Sequence, residues 1–324
     1  MKQAKLIYTA LLMALFCINA HAQQGIQFSQ YAFTGLTVNP AYAGYKEDWT
    51  INMVSRMQWT GIDGAPRTGA VSVDGVTGAQ SKNVGLGLVI TGDMLGPQTN
   101  ASAYVNYAYR LRLNDEDSRR LCFGVGVGAE EYVLDYNKLN PTDPGDPNLL
   151  GSLSKLSPDC RFGLYYYSPS FYIGASALNL LSGAGFNDAA VVKQERCYYL
   201  SAGFMLPVSA TVDWKPSILV KDDRKGPTNI DLTTNFLINK AFWLGASYRT
   251  GIINFDKSNL QKSLDKADAI AAIVEFYAGS NFRIGYSYDF SLTKLANYQN
   301  GTHELSLGIS FGRRKERVVN PRYF

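Results

Sequence analysis

The feature that most constrains this chain is a strict alternation of side chains, sustained over segments of about ten residues or more. From Asn100, one face reads Asn100, Ser102, Tyr104, Asn106, Ala108, Arg110, Arg112, and the other reads Ala101, Ala103, Val105, Tyr107, Tyr109, Leu111, Leu113. Later, Phe282, Ile284, Tyr286, Tyr288 and Phe290 oppose Asn281, Arg283, Gly285, Ser287 and Asp289. A period of two marks a strand whose two faces meet different surroundings. The pattern recurs near 49–60, 67–77, 83–94, 99–112, 119–131, 157–167, 171–180, 196–208, 211–222, 228–238, 241–252, 267–278, 281–291 and 302–312. Most of these segments run about 10–13 residues, whereas strands average about 5–6 and a tilted membrane-spanning strand needs about 9–11. No amphipathic helix is evident between them.

The connections point the same way. After odd-numbered segments they reach roughly 25 residues; after even-numbered ones they run roughly 2–6. Short turns at one end of a sheet and long loops at the other predict an all-β fold: a transmembrane antiparallel β-barrel of about 14 strands. The short turns are expected in the periplasm, the long loops outside, and both termini on the periplasmic side. Composition agrees: charged residues are only 18% of the chain, aromatics 13%. The apolar face is expected to meet lipid. The other face would carry Arg56, Asp74, Asp93, Arg110, Glu130, Asp231, Arg249, Arg283, Asp289 and Glu304 into the lumen. Such charges either brace one another in a partly filled lumen or line a selective pore. Gly124, Gly126 and Gly128 leave a smooth strip of wall, which either eases strand curvature or lets another segment approach.

Four regions follow. Residues 1–22 have Lys2 and Lys5, an apolar stretch from Leu6 to Ala20, and Ala20-His21-Ala22 before Gln23. These are the parts of a secretory signal peptide cleaved near Ala22-Gln23. Residues 23–48 are aperiodic but apolar and aromatic, and are expected to pack as a periplasmic segment at the barrel mouth. Residues 49–312 are the barrel, and 313–324, opening on Arg313-Arg314-Lys315, form a periplasmic tail.

The chemical inventory is thin. His303 is the only histidine after residue 22, and its neighbour Glu304 points to the opposite face of the strand; a serine hydrolase needs more than that. No catalytic residue, cofactor site or enzyme activity is expected. Cys122, Cys160 and Cys197 are too scattered for a disulfide framework or a metal site. Asp143 and Asp146, in a proline-rich loop, are the one candidate pair for calcium, against a plain rigid loop. A net charge of +4 without basic stripes gives no nucleic-acid partner; the expected surroundings are outer-membrane lipid.

Several blocks together resemble one family. They are Gln27-Phe28-Ser29-Gln30-Tyr31, Asn39-Pro40-Ala41-Tyr42-Ala43-Gly44, Arg56-x-Gln58-Trp59, and Gly61-x-Asp63-Gly64-Ala65-Pro66-Arg67-Thr68. Gly85-x-Gly87, Asp93-x-x-Gly96-Pro97, Asp146-Pro147, Pro216-Ser217 and Gly245-x-x-Tyr248-Arg249 continue the match, then Ile284-Gly285-Tyr286-Ser287-Tyr288-Asp289 and His303-Glu304. Order and spacing resemble the PorP/SprF family of the type IX secretion system of Bacteroidetes. The resemblance implies a non-enzymatic outer-membrane component working with other type IX secretion components. It also implies support for secretion, or for anchoring a secreted surface protein, such as a gliding adhesin, through its C-terminal domain. A passive porin or small-molecule channel is the alternative.

Overall fold

The computed structural model describes residues 25–77, 81–139, 151–182, 195–252, 267–279 and 281–311. The calcium candidates Asp143 and Asp146, the expected signal peptide and the tail 313–324 lie outside them. So do 183–194 and 253–266, most of two of the long loops.

Fourteen strands form where the alternation predicts them: β1 Thr50–Met57, β2 Arg67–Val76, β3 Val84–Leu95, β4 Gln98–Arg112, β5 Arg120–Asp135, β6 Ser152–Tyr167 and β7 Phe171–Leu178. They continue as β8 Cys197–Phe204 (resumed over Leu206–Pro207), β9 Val212–Asp222, β10 Thr228–Ile238, β11 Phe242–Ile252, β12 Ala267–Ala278, β13 Phe282–Ser291 and β14 Thr302–Ser310. Each pairs antiparallel with its sequence neighbour, and β14 returns to pair with β1 along its whole length, from Thr50 opposite Ser310 to Met57 opposite His303. Closure removes every sheet edge, which is what lets strands cross a bilayer. No helix among the described residues is long and apolar enough to span a membrane; the crossing is made by strands.

One boundary differs from expectation. The hairpin of β5 and β6 is longer than the apolar pattern, with Leu156, Lys155 and Ser152 still in register with Glu131, Tyr132 and Asp135. Its tip is Ser-rich and polar, so it reads as loop by composition, yet the backbone ladder continues. The connection shrinks to 136–151.

The faces sort by surroundings. Leu86, Leu88 and Ile90 on β3, Val105 and Tyr107 on β4, Val125 and Val127 on β5 and Leu305 and Leu307 on β14 are exposed on the outside. A barrel in a membrane keeps such an apolar band against lipid. The intervening residues are buried inward. β1 begins and β14 ends at the short-turn end.

The N-terminal segment departs most from expectation. Instead of packing at the mouth, it passes through the lumen from one end to the other. Gly25 lies against Lys221 near the end of β9 that carries the long loops. Three single turns of helix follow, Tyr31–Phe33, Gly35–Val38 and Pro40–Tyr42. The chain then reaches Trp49 beside Gly75 on β2, at the short-turn end. The physical reason is the core. A barrel of this size has an interior that side chains from the wall do not fill alone, and this aromatic segment supplies the filling. Phe28, Tyr31, Phe33, Leu36, Ala41, Tyr42, Ala43 and Tyr45 are all buried.

Candidate functional site

The lumen segment docks at two places of different chemistry. The first is ionic. Alternation turns Arg56 of β1, Arg249 of β11, Asp289 of β13 and Glu304 of β14 inward, and barrel closure brings them together. Arg56 reaches Asp289 at 2.7 Å and Glu304 at 3.0 Å. Arg249 reaches Asp231 at 2.7 Å and Asp289 at 3.3 Å. In register, Arg56 stands opposite Glu304 and Asp231 opposite Arg249, so the sheet itself presets these pairs.

Ser29 and Gln30 complete the cluster. The Ser29 and Gln30 backbone N–H groups donate to the two carboxylate oxygens of Glu304 at 2.9 and 2.8 Å. The Ser29 hydroxyl donates to Asp289 at 2.8 Å and accepts from Arg56 at 2.9 Å and Arg249 at 3.2 Å. The Ser306 hydroxyl donates to the Gln30 side-chain oxygen at 2.7 Å. Arg56 and Asp289 are 2% and 3% exposed, so the cluster is desolvated and each charge depends on its partners. Below it, the Tyr31 hydroxyl lies 3.0 Å from that of Ser217.

The second docking place is steric. Asn39 is extended, and its side-chain oxygen accepts from Ala41 N–H at 2.9 Å, with Pro40 opening the next turn. This is an N-cap followed by a proline at N1. The Asn39 amide also donates to the backbone carbonyls of Leu164 on β6, at 3.0 Å, and Ala175 on β7. Pro40 and Ala41 then press their backbone onto Gly124 of β5, and Ala43 presses onto Gly85 of β3; a side chain at either glycine would overlap those atoms. Of the smooth strip, Gly124 takes the segment, whereas Gly126 and Gly128 make room for the wall side chains Asn106 and Tyr104. Gly44 has φ +73°, lies within a Cβ's reach of Gly85, and donates its N–H to Asp74 at 3.0 Å. Only glycine suits that position. A cavity of about 30 Å³ remains beside Tyr31, Gly35, Asn39, Tyr42, Tyr45 and Lys215.

All ten charges assigned to the lumen face inward, but not as one network. Arg283 pairs with Glu275 at 2.8 Å and lies 4.7 Å over the Phe33 ring. Arg110 donates to Tyr167 at 2.8 Å. Glu130 accepts from Tyr104 at 2.7 Å, and Asp93 accepts from Thr68 at 2.5 Å. Sequence reasoning passed over Asp159, Arg161, Lys215, Lys221 and Glu275, all buried. The alternation that flagged the others also turns these inward.

The motif residues divide. Phe28, Ser29, Gln30, Tyr31, Asn39, Pro40, Ala41, Tyr42, Gly44, Arg56, Gly285 and Asp289 converge in the lumen, Gly285 lying against Gln30. Gln58, Trp59, Gly64 and Pro66 instead belong to the β1–β2 connection. There Gln58 N–H donates to Pro66 O, Trp59 N–H to Thr302 and Gly96 N–H to Gly64 O, tying three loops together. Tyr286 and Tyr288 are on the outer wall: Tyr286 lies 2.7 Å from His303 Nδ1, and Tyr288 donates to Asn300 O. His303 thus faces away from Glu304 and stands with aromatic residues near the loop end. Among the described residues Cys122, Cys160 and Cys197 form no disulfide. Among the described residues no group of three or more His, Cys, Asp or Glu could hold a metal ion.

A closed 14-strand antiparallel barrel with a lipid-facing apolar band and a charged interior defines an integral outer-membrane β-barrel; this one carries an internal segment. Residues 20–309 match the sequence profile of the type IX secretion system membrane protein PorP/SprF, and the chain belongs to that family. It is therefore an outer-membrane component of type IX secretion, from a family of secretion-system membrane components rather than enzymes. No curated protein matches the chain.

Among solved structures, the toluene transporter TbuX of Ralstonia pickettii is similar at 12% identity and a TM-score of 0.53, over 86% of this chain and 94% of that one. Omp33 of Acinetobacter baumannii aligns at 8% identity and a TM-score of 0.43, over 82% and 98% of the two chains. A Rh. blastica porin variant aligns at 8% identity and a TM-score of 0.35, over 82% and 99%. The likeness to TbuX is one of fold.

Proposed function

We propose that this protein is a closed outer-membrane post that holds a secreted partner at the cell surface, through the partner's C-terminal domain. The observation that carries this reading is the docked lumen segment. Its motif residues Ser29 and Gln30 hold buried charges from strands that lie far apart in the chain, so the interior serves as a brace. A brace leaves the loop end as the recognition surface, because loops positioned on a rigid scaffold carry binding. In this reading the signal peptide is removed near Ala22-Gln23, and the short turns and the tail 313–324 face the periplasm. Recognition falls to the loops near 132–156, 181–195 and 253–266, of which residues 140–150, 183–194 and 253–266 lie outside the described residues.

The test is affinity purification from native membranes. The intact protein should bring down a secreted surface protein together with type IX components. Deleting one of the three loops should lose that partner while the barrel still inserts. If all three deletions leave display intact, recognition lies elsewhere. A porin would need the lumen segment displaced, which conductance detects.

A further inference from the structure

The barrel's outer wall has a groove that the chain itself does not explain. It measures about 410 Å³ and lies across β1, β2 and β3. Its floor is a lateral row of small residues: Ser55 stands in register with Gly69, and Gly69 with Gly92. Val71, Ile90 and Leu305 are among its walls. The volume is within the roughly 300–1,000 Å³ of small-molecule sites.

These two glycines differ from those of the lumen. At Gly85, Gly124, Gly163 or Gly285 an added Cβ would overlap another part of the chain. At Gly92 it would meet nothing within 4 Å, and at Gly69 only the Val54 carbonyl at 3.7 Å. Neither has a positive φ. Glycine weakens a strand interior and marks sites where another body comes close. Among the described residues nothing approaches them, so the space above them is open to a body outside the chain.

A cation stands at the rim. Arg67 is two residues before Gly69 on β2, hence on the same outward face and about 7 Å nearer the loop end. It is exposed, in register with Met57 on one side and Met94 on the other. An arginine above an apolar groove in a lipid-facing wall complements a phosphorylated head group carrying an acyl chain.

We propose that this groove holds one phosphorylated lipid of the loop-side leaflet, with its phosphate on Arg67 and one acyl chain over Ser55, Gly69 and Gly92. The site is separate from the lumen and does not rest on the partner-holding reading. The test is native mass spectrometry of the full-length purified barrel in neutral detergent, titrated with bisphosphorylated lipid A. The intact barrel should retain one lipid under conditions that strip the rest. Gly92→Leu, which fills open space, should fold normally by heat-modifiable gel mobility and lose retention by about tenfold or more. Arg67→Gln should lose lipid A by about tenfold, while weak retention of uncharged dioleoylglycerol stays unchanged. Equal retention by the intact barrel and both variants overturns the proposal. So does a dimer of the barrel that Gly92→Leu breaks, because the groove is then a seam between copies.

Discussion

The lumen segment can be compared with itself. Its first part, Gly25 to Tyr31, is held by charges and hydrogen bonds; its later part, Asn39 to Gly44, is held by backbone laid on glycine. The wall differs to match. Strands β1, β11, β13 and β14 offer Arg56, Arg249, Asp289 and Glu304, whereas β3, β5 and β6 offer Gly85, Gly124 and Gly163. Both modes order the segment, but they fail differently. Removing one member of a buried charge cluster leaves the others uncompensated, whereas adding a methyl to a glycine track displaces what rests on it. The first part is therefore tuned by chemistry, and the second by shape.

Substitutions can break this comparison one side at a time. The largest effect is expected from Arg56→Ala, which takes the guanidinium from Glu304 and leaves Asp289 with Arg249 alone. Breaking such a pair costs about 3–5 kcal/mol. In a cysteine-free background, Ile26→Cys should become reactive to a maleimide in this variant while Val38→Cys stays protected; equal exposure of both would show that the two parts are one unit. Next comes Gly124→Val, which overlaps the Pro40–Ala41 backbone and should cost about 1–3 kcal/mol. Here the pattern reverses: Val38→Cys becomes reactive before Ile26→Cys. Asn39→Ala removes the Ala41 cap and the bonds to Leu164 and Ala175, and should lower the unfolding free energy by about 1–2 kcal/mol. Tyr31→Phe loses the hydroxyl and its Ser217 contact, about 0.5–1.5 kcal/mol.

The fold was legible because each strand repeats one rule. The alternation placed all fourteen strands and put Arg56, Asp231, Arg249, Asp289 and Glu304 on the inner face. It could not say which inward charges meet, since Arg56 finds Asp289 and Glu304 only through the closure of β14 on β1. The path of residues 25–49 was not legible, because a segment of single helical turns has no period to read. The signal that existed was in the wall. Gly85, Gly124 and Gly163 occupy inward positions in one lateral row with Ala108 and Ser176, and such a track of small residues implies something resting on it. The β5–β6 extension was missed because a polar hairpin beyond the hydrocarbon band loses its apolar face while its backbone pairing continues.

The central claim is that residues 25–49 close the lumen. Single-channel recording of purified protein in planar bilayers tests it most directly, comparing the intact barrel with one in which Gly25 to Tyr45 is deleted and insertion is confirmed by heat-modifiable mobility. The account predicts a silent intact barrel and a stable open conductance after deletion. A stable, large conductance from the intact barrel, unchanged by the deletion, would contradict it.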